Sequence, residues 1–67
     1  MKANKRKFAI AMAKACITRN DLAEKSGVGL NQTKKMLSGE NVRPITFGKV
    51  CKALGIDVEE LLDESEV

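Results

Sequence analysis

A chain of 67 residues, 43% apolar and 31% charged with a single proline, has room for one domain and buries only about 60% of the surface its unfolded form would expose. This balance fits a helical globule better than a disordered tail or a sheet protein, and no apolar run reaches the roughly 18 residues of a membrane span. Net charge is a modest +3, but residues 1–35 hold nine Lys or Arg against Asp21 and Glu24, while residues 36–67 hold three against seven acids.

From about Asn4 to Ala15 the chain is rich in Ala, Lys and Met, strong helix formers, with Phe8, Met12 and Ala15 or Cys16 on one stripe; this predicts a first helix. Lys2, Lys5, Arg6 and Lys7 ahead of Phe8 to Ala13 superficially look like a secretory signal. Lys14 interrupts that apolar stretch after six residues, however, and cleavage near Cys16 would strip a whole helix from a small core, so a charged helix of a cytoplasmic protein is the better account. Cys16 and Cys51 form no C-x-x-C pair and no histidine is present to complete a zinc site. Both read as small buried thiols, since a disulfide would need an oxidising compartment that nothing else suggests. Residues 1–3 and 64–67 are expected to fray.

Thr18, with Asp21 three residues on, forms a capping pattern for a second helix from about Arg19 to Ser26. Gly27 then provides a joint tolerant of positive φ, and Ala23 a small residue where two steeply crossed helices approach. With Val28 pointing inward, a third helix covers about Leu30 to Ser38 and stops at Gly39. Glu40 to Pro44 reads as a polar loop. Thr46 is expected to cap a fourth helix, Phe47 to Leu54, whose apolar face is Phe47, Val50 and Leu54 and whose end is Gly55. Asp57 and Glu60 repeat the capping pattern for a short fifth helix, Val58 to about Asp63, presenting Leu61 and Leu62. The expected fold is thus all-α, a single five-helix domain over residues 1–67.

Leu22, Val28 and Met36 are spaced to share one core, which leaves Asn31, Lys34 and Lys35 on the outer side of the third helix. A polar, basic outer face suits a DNA groove, and the basic N-terminal half is the electrostatic footprint of phosphate contact. The plain alternative is a solvated charged surface, and that is the better account of Lys25.

The blocks T-R-N-D-L-A-E-K-S-G-V at Thr18 to Val28, M-L-S-G at Met36 to Gly39, the Arg43-Pro44 step and K-A-L-G-I-D-V-E-E-L-L at Lys52 to Leu62 resemble the phage repressor and Cro type of helix-turn-helix proteins, the XRE-like family. The resemblance covers about Phe8 to Leu62. It implies a lambda-repressor-like five-helix domain that binds double-stranded DNA in a sequence-specific way, as a homodimer, to regulate transcription. Carried onto this chain, Leu30 to Ser38 is the recognition helix in the major groove. Asn31 would read an adenine edge, Lys34 and Lys35 guanine acceptors or phosphate, and Gln32 is a second amide candidate leaning toward the flank. Leu30 has two readings, contact with a thymine methyl or packing on its own neighbours. Thr18, Arg19, Asn41 and Arg43 would hold phosphates.

The chain also departs from the family pattern. Thr33 stands where an aliphatic core residue is usual and Gly29 where Ser or Thr commonly caps the recognition helix, so that helix is expected to be loosened. Met12 and Leu37 stand where some relatives carry an Arg and Glu ion pair. A dimer surface is expected near Val42 to Ile45 and the fifth helix, with Val58 and Leu61 partly exposed, unless those residues pack internally.

Enzymatic activity is disfavoured by inventory: no His, Tyr or Trp, no Gly-rich phosphate loop and no base beside either cysteine. No cofactor, metal, membrane or small-molecule ligand is expected. The rival readings are a protein-binding adaptor or an antitoxin on the same fold. RNA binding is weaker, with Phe8 and Phe47 both assigned to the core and no other aromatic ring to stack on bases.

Overall fold

Asn4 starts the first helix: its side-chain oxygen accepts the Lys7 N–H at 3.0 Å, and α1 runs Lys5–Ala15 behind it. The computed structural model describes residues 1–63, and over these the chain continues through α2 (Arg19–Ser26), α3 (Leu30–Leu37), α4 (Pro44–Leu54) and α5 (Val58–Leu61). The all-α, five-helix architecture is the expected one. Residues 64–67, expected to fray, lie outside the described residues.

Each helix contributes to one core. Phe8 of α1, Leu22 of α2, Met36 of α3, Phe47, Val50 and Cys51 of α4 and Leu61 of α5 are fully buried, with Val28 and Leu54 nearly so. Met12, Leu37 and Val58 pack half-buried against that cluster. The apolar pair Met12 and Leu37 therefore serves the core, as its side chains suggest.

The inward stripe of α1 differs from the expected one. Phe8 and Ala11 point inward, Met12 packs alongside, and Ala15 and Cys16 are exposed. The reason is that α1 ends at Ala15. Cys16 adopts a left-handed conformation, φ 52°, in which its N–H donates to the Ala13 carbonyl and Ile17 N–H to Met12 at 3.2 Å, a reversal that carries the thiol to the surface. Cys51 is the buried thiol of the two and both are free. Burial pushes the Cys51 thiol from 9.0 up to about 11.

Thr18 caps α2 as expected, its Oγ1 accepting the Asp21 N–H at 3.1 Å. Gly27 closes α2 at φ 73°, a conformation that costs a non-glycine residue about 1–2 kcal/mol. Helix α4 begins three residues before the expected Phe47. Pro44 occupies its first turn, where the missing N–H is not needed and the fixed φ is already helical, so Thr46 lies inside the helix and caps nothing. Helix α5 is shorter than expected: Asp57 makes no side-chain cap bond, and Leu62 turns extended, φ −62° and ψ 138°.

That turn at Leu62 exposes a backbone edge which the N-terminal residues fill. Ala3 and Leu62 form an antiparallel bridge; Asn4 N–H donates to Leu61 at 2.9 Å and Asp63 N–H to Lys2 at 3.0 Å. On the other side Val42 N–H donates to the Met1 carbonyl at 2.8 Å, and the Met1 amine donates to Asn41 Oδ1 and to the Val42 carbonyl. Residues 1–3 are therefore tied at both flanks, with Ala3 only 1% exposed, contrary to the expected frayed end. Val42, in the loop expected near a dimer surface, and Leu61, expected either partly exposed there or packed internally, both belong to the core, whereas Val58 is partly buried.

Candidate nucleic-acid interface

Helix α3 is strongly two-sided. Its positions i, i+3 and i+4 from Asn31 bring Asn31, Lys34 and Lys35 to solvent, whereas Thr33 and Met36 are buried beneath. Leu30, at the first helical position, is 37% exposed, so this large apolar side chain stays open on the same outer surface as Asn31. Its N-cap is Gly29, which has no side chain to offer the free N–H groups of the first turn. Thr33 compensates from below: its hydroxyl donates to the Gly29 carbonyl at 3.3 Å, a carbonyl that also accepts Gln32 N–H at 3.1 Å and Thr33 N–H at 3.2 Å. The helix is regular from Leu30, and no buried side-chain polar atom is left unbonded among the described residues.

Two clefts flank this face. One, about 550 Å³, is lined by Met1, Gln32, Lys35, Asn41, Val42, Arg43 and Pro44. It brings Gln32 off the crest of α3 toward the following loop, the flanking position its helical spacing suggested. Asn41 Oδ1 accepts from the Met1 amine, which leaves the amide N–H2 as the donor end of that side chain. The second cleft, about 260 Å³, is lined by Thr18, Arg19, Asn20 and Leu37 at the start of α2. Thr18 Oγ1 is used as an acceptor within the cap, so its O–H remains for an outside acceptor, beside the unpaired N–H groups of the first turn.

All nine residues singled out from the sequence are thus grouped around α3. Leu30, Asn31, Lys34 and Lys35 form the crest, Gln32 leans to one flank with Asn41 and Arg43, and Thr18 and Arg19 form the other. Arg19, Lys34, Lys35 and Arg43 are all exposed, and none forms an ion pair with a described acid. Exposed cations beside cleft donors are chemically suited to anionic oxygens. Asn20 and Met1 also line these clefts and were not singled out. Asn20 directly follows Arg19 at a helix start, a signal that was available; for Met1 only the fold places it beside Asn41.

The model of the Cro/C1-type HTH DNA-binding domain matches residues 7–64. A solved structure of a hydroxyethylphosphonate dioxygenase variant superposes on 97% of the chain with a TM-score of 0.83 at 20% identity. The chain covers 14% of that protein's length, and the likeness is one of fold alone. No curated protein matches the sequence. Among the described residues no helix is long and apolar enough to cross a membrane.

Proposed function

The chain belongs to the Cro/C1-type helix-turn-helix DNA-binding family, and from that premise we propose that it is a small Cro-like transcriptional repressor, cytoplasmic, reading a two-fold operator as a homodimer. The observation that carries this reading is the crest of α3, where Asn31, Lys34 and Lys35 stand exposed over a fully buried Thr33 and Met36. In the major groove Asn31 pairs bidentately with an adenine edge, Lys34 and Lys35 reach guanine acceptors, and Gln32 reads from the flank. Leu30 meets a thymine methyl, a role its exposure favours over internal packing. Thr18 and Arg19 hold one phosphate run and Asn41 and Arg43 another, fixing register without choosing sequence.

Of the dimer surface expected around Val42 to Ile45, Ile45 is the residue left available, 74% exposed in the first turn of α4 beside Arg43. A second copy seated there supplies the second reading helix that half-sites about 34 Å apart require. Selection of binding sites from random duplexes tests the function directly. An enriched palindrome whose binding is lost in Asn31→Ala, Lys34→Ala is the expected result; no enrichment, with affinity unchanged in that variant, overturns it and leaves an adaptor or antitoxin role.

A further inference from the structure

Gly39 serves the end of α3 in two ways. Its φ of 76° stops the helix, with its own N–H donating to the Met36 carbonyl at 3.0 Å and Glu40 N–H to the Lys35 carbonyl at 2.9 Å, the closure typical of a left-handed residue. Its missing side chain also makes room. A Cβ at Gly39 would lie 3.3 Å from both Cγ and Cε of Lys5 and 3.6 Å from its Cδ, so the aliphatic stem of Lys5, the first residue of α1, lies along the bare face of this glycine. The ammonium, one bond beyond Cε, is thereby set at the exit of α3. Lys5 is exposed, and its ammonium has no hydrogen-bond or ion-pair partner among the described residues, Glu40 next to Gly39 included. A second contact holds the same edge: Val42 N–H donates to the Met1 carbonyl at 2.8 Å. Residues 1–5 therefore run beside residues 39–42, the loop that carries Asn41.

We infer that Lys5 is a further phosphate-holding residue, the contribution of α1 to the flank of Asn41 and Arg43, and that Gly39 is the residue that positions it. The inference rests on the DNA reading proposed above. Glu40, in the middle of this loop, would by itself repel a phosphate, and a cation laid beside the loop offsets that repulsion. A lysine whose stem is already seated also loses less rotamer freedom on taking hold of a phosphate than one that moves freely in solvent. In the sequence Lys5 is one of four basic residues ahead of Phe8; its seat on Gly39 gives it a fixed place.

Titration of the full chain on its selected duplex and on random DNA at several salt concentrations tests this. Lys5→Met keeps the stem and removes the charge. It should weaken binding to both duplexes about three- to tenfold and make the slope of log affinity against log salt shallower by about 0.9, the value of one phosphate contact. Lys5→Arg should keep the slope. Lys25→Met removes the same charge from the last turn of α2, outside both clefts around α3, and should leave the slope unchanged. Gly39→Asn tolerates the positive φ but adds the Cβ; it should weaken binding at least about twofold in the parent and have no effect in a Lys5→Met background. Circular dichroism of each variant shows that the helices are kept. An unchanged slope in Lys5→Met, or an equal change in Lys25→Met, overturns the phosphate role. Equal losses from Gly39→Asn in both backgrounds overturn the part given to Gly39. Selective binding that depends on Asn31 but not on Lys5 marks the failure of this inference alone, whereas a chain that enriches no duplex overturns the DNA reading and this inference with it.

Discussion

The hydroxyl of Thr33 donates to the carbonyl of Gly29, four residues back, so the recognition helix is secured at its start from beneath by a buried side chain while its N-cap side chain is absent. The expected loosening of this helix by Thr33 and Gly29 is thereby offset in part: the carbonyl that opens α3 receives three donors.

Two stability changes follow from this relationship. The Gly29 carbonyl keeps two N–H partners without Thr33 Oγ1, so Thr33→Val strands no acceptor but loses the bond that holds the helix start; thermal unfolding should show a loss of about 0.5–1 kcal/mol. Gly29 has an ordinary extended conformation, φ −60°, and a Cβ there would meet nothing within 4 Å. Gly29→Ser should add ~0.5 kcal/mol from the cap and the stiffer unfolded chain. A gain of stability in Thr33→Val, or a loss in Gly29→Ser, contradicts this account of the helix start.

Base and phosphate roles separate by their dependence on sequence and salt. Arg19→Ala should weaken all duplexes alike and make the salt dependence of log affinity shallower by about one unit. Asn31→Ala should cost about 1–3 kcal/mol on the selected site and far less on random DNA. Titrations on specific and random duplexes at several salt concentrations read both; loss confined to one base position for Arg19 would make it a base reader.

The two thiols should behave oppositely. At pH 8 an alkylating reagent is expected to modify Cys16 in the native protein and reach Cys51 only on unfolding, which mass spectrometry resolves. Burial raises Cys51 in the folded state, so between its unfolded value near 9 and its folded value of about 11 the unfolded chain holds fewer protons. Stability is then intact below pH 9 and falls as pH rises toward 11, by on the order of 2 kcal/mol. Cys51→Ala, compared with its own stability at neutral pH, should show a flatter curve over that window.

Ala3 offers a test of the N-terminal tie. Ala3→Glu forces a carboxylate into a site that is 1% exposed, and denaturant unfolding should lose about 2–4 kcal/mol. Lys2→Glu changes an exposed neighbour and should cost much less. Equal, small effects would mean that residues 1–3 contribute little to folding.

Periodicity and end signals made most of this molecule readable. Phe8, Leu22, Met36, Phe47 and Val50 recur at helical spacing, and Gly27, Gly39 and Gly55 each take the positive φ that stops a helix. Start signals were less reliable, because Thr46 and Pro44 both mark helix starts and the preset φ of Pro44 prevailed. Cys16 misled because a thiol in a left-handed reversal has no signature distinguishing it from a buried one. Ala3 carried no signal at all: a small residue among lysines looks like a tail, and only contact with Leu62 gives it a place in the core. The surface residues of α3 were legible as a set, since exposure follows from the same spacing that buries Met36.

The pairing of Ala3 with Leu62 joins positions at nearly opposite ends of the sequence. A contact of such long range closes almost the entire chain as a loop and gains only one short bridge in return, so it belongs to the last steps of folding and the first of unfolding. Amide hydrogens at Asn4 and Asp63, bonded across that bridge, should therefore exchange together and well ahead of those in the middle of α4. When the bridge opens it also releases the backbone that holds Val42, the residue next to Asn41 on the flank of the recognition helix. Early exchange at the seam and loosening of the loop that carries Asn41 are thus two readings of a single local opening.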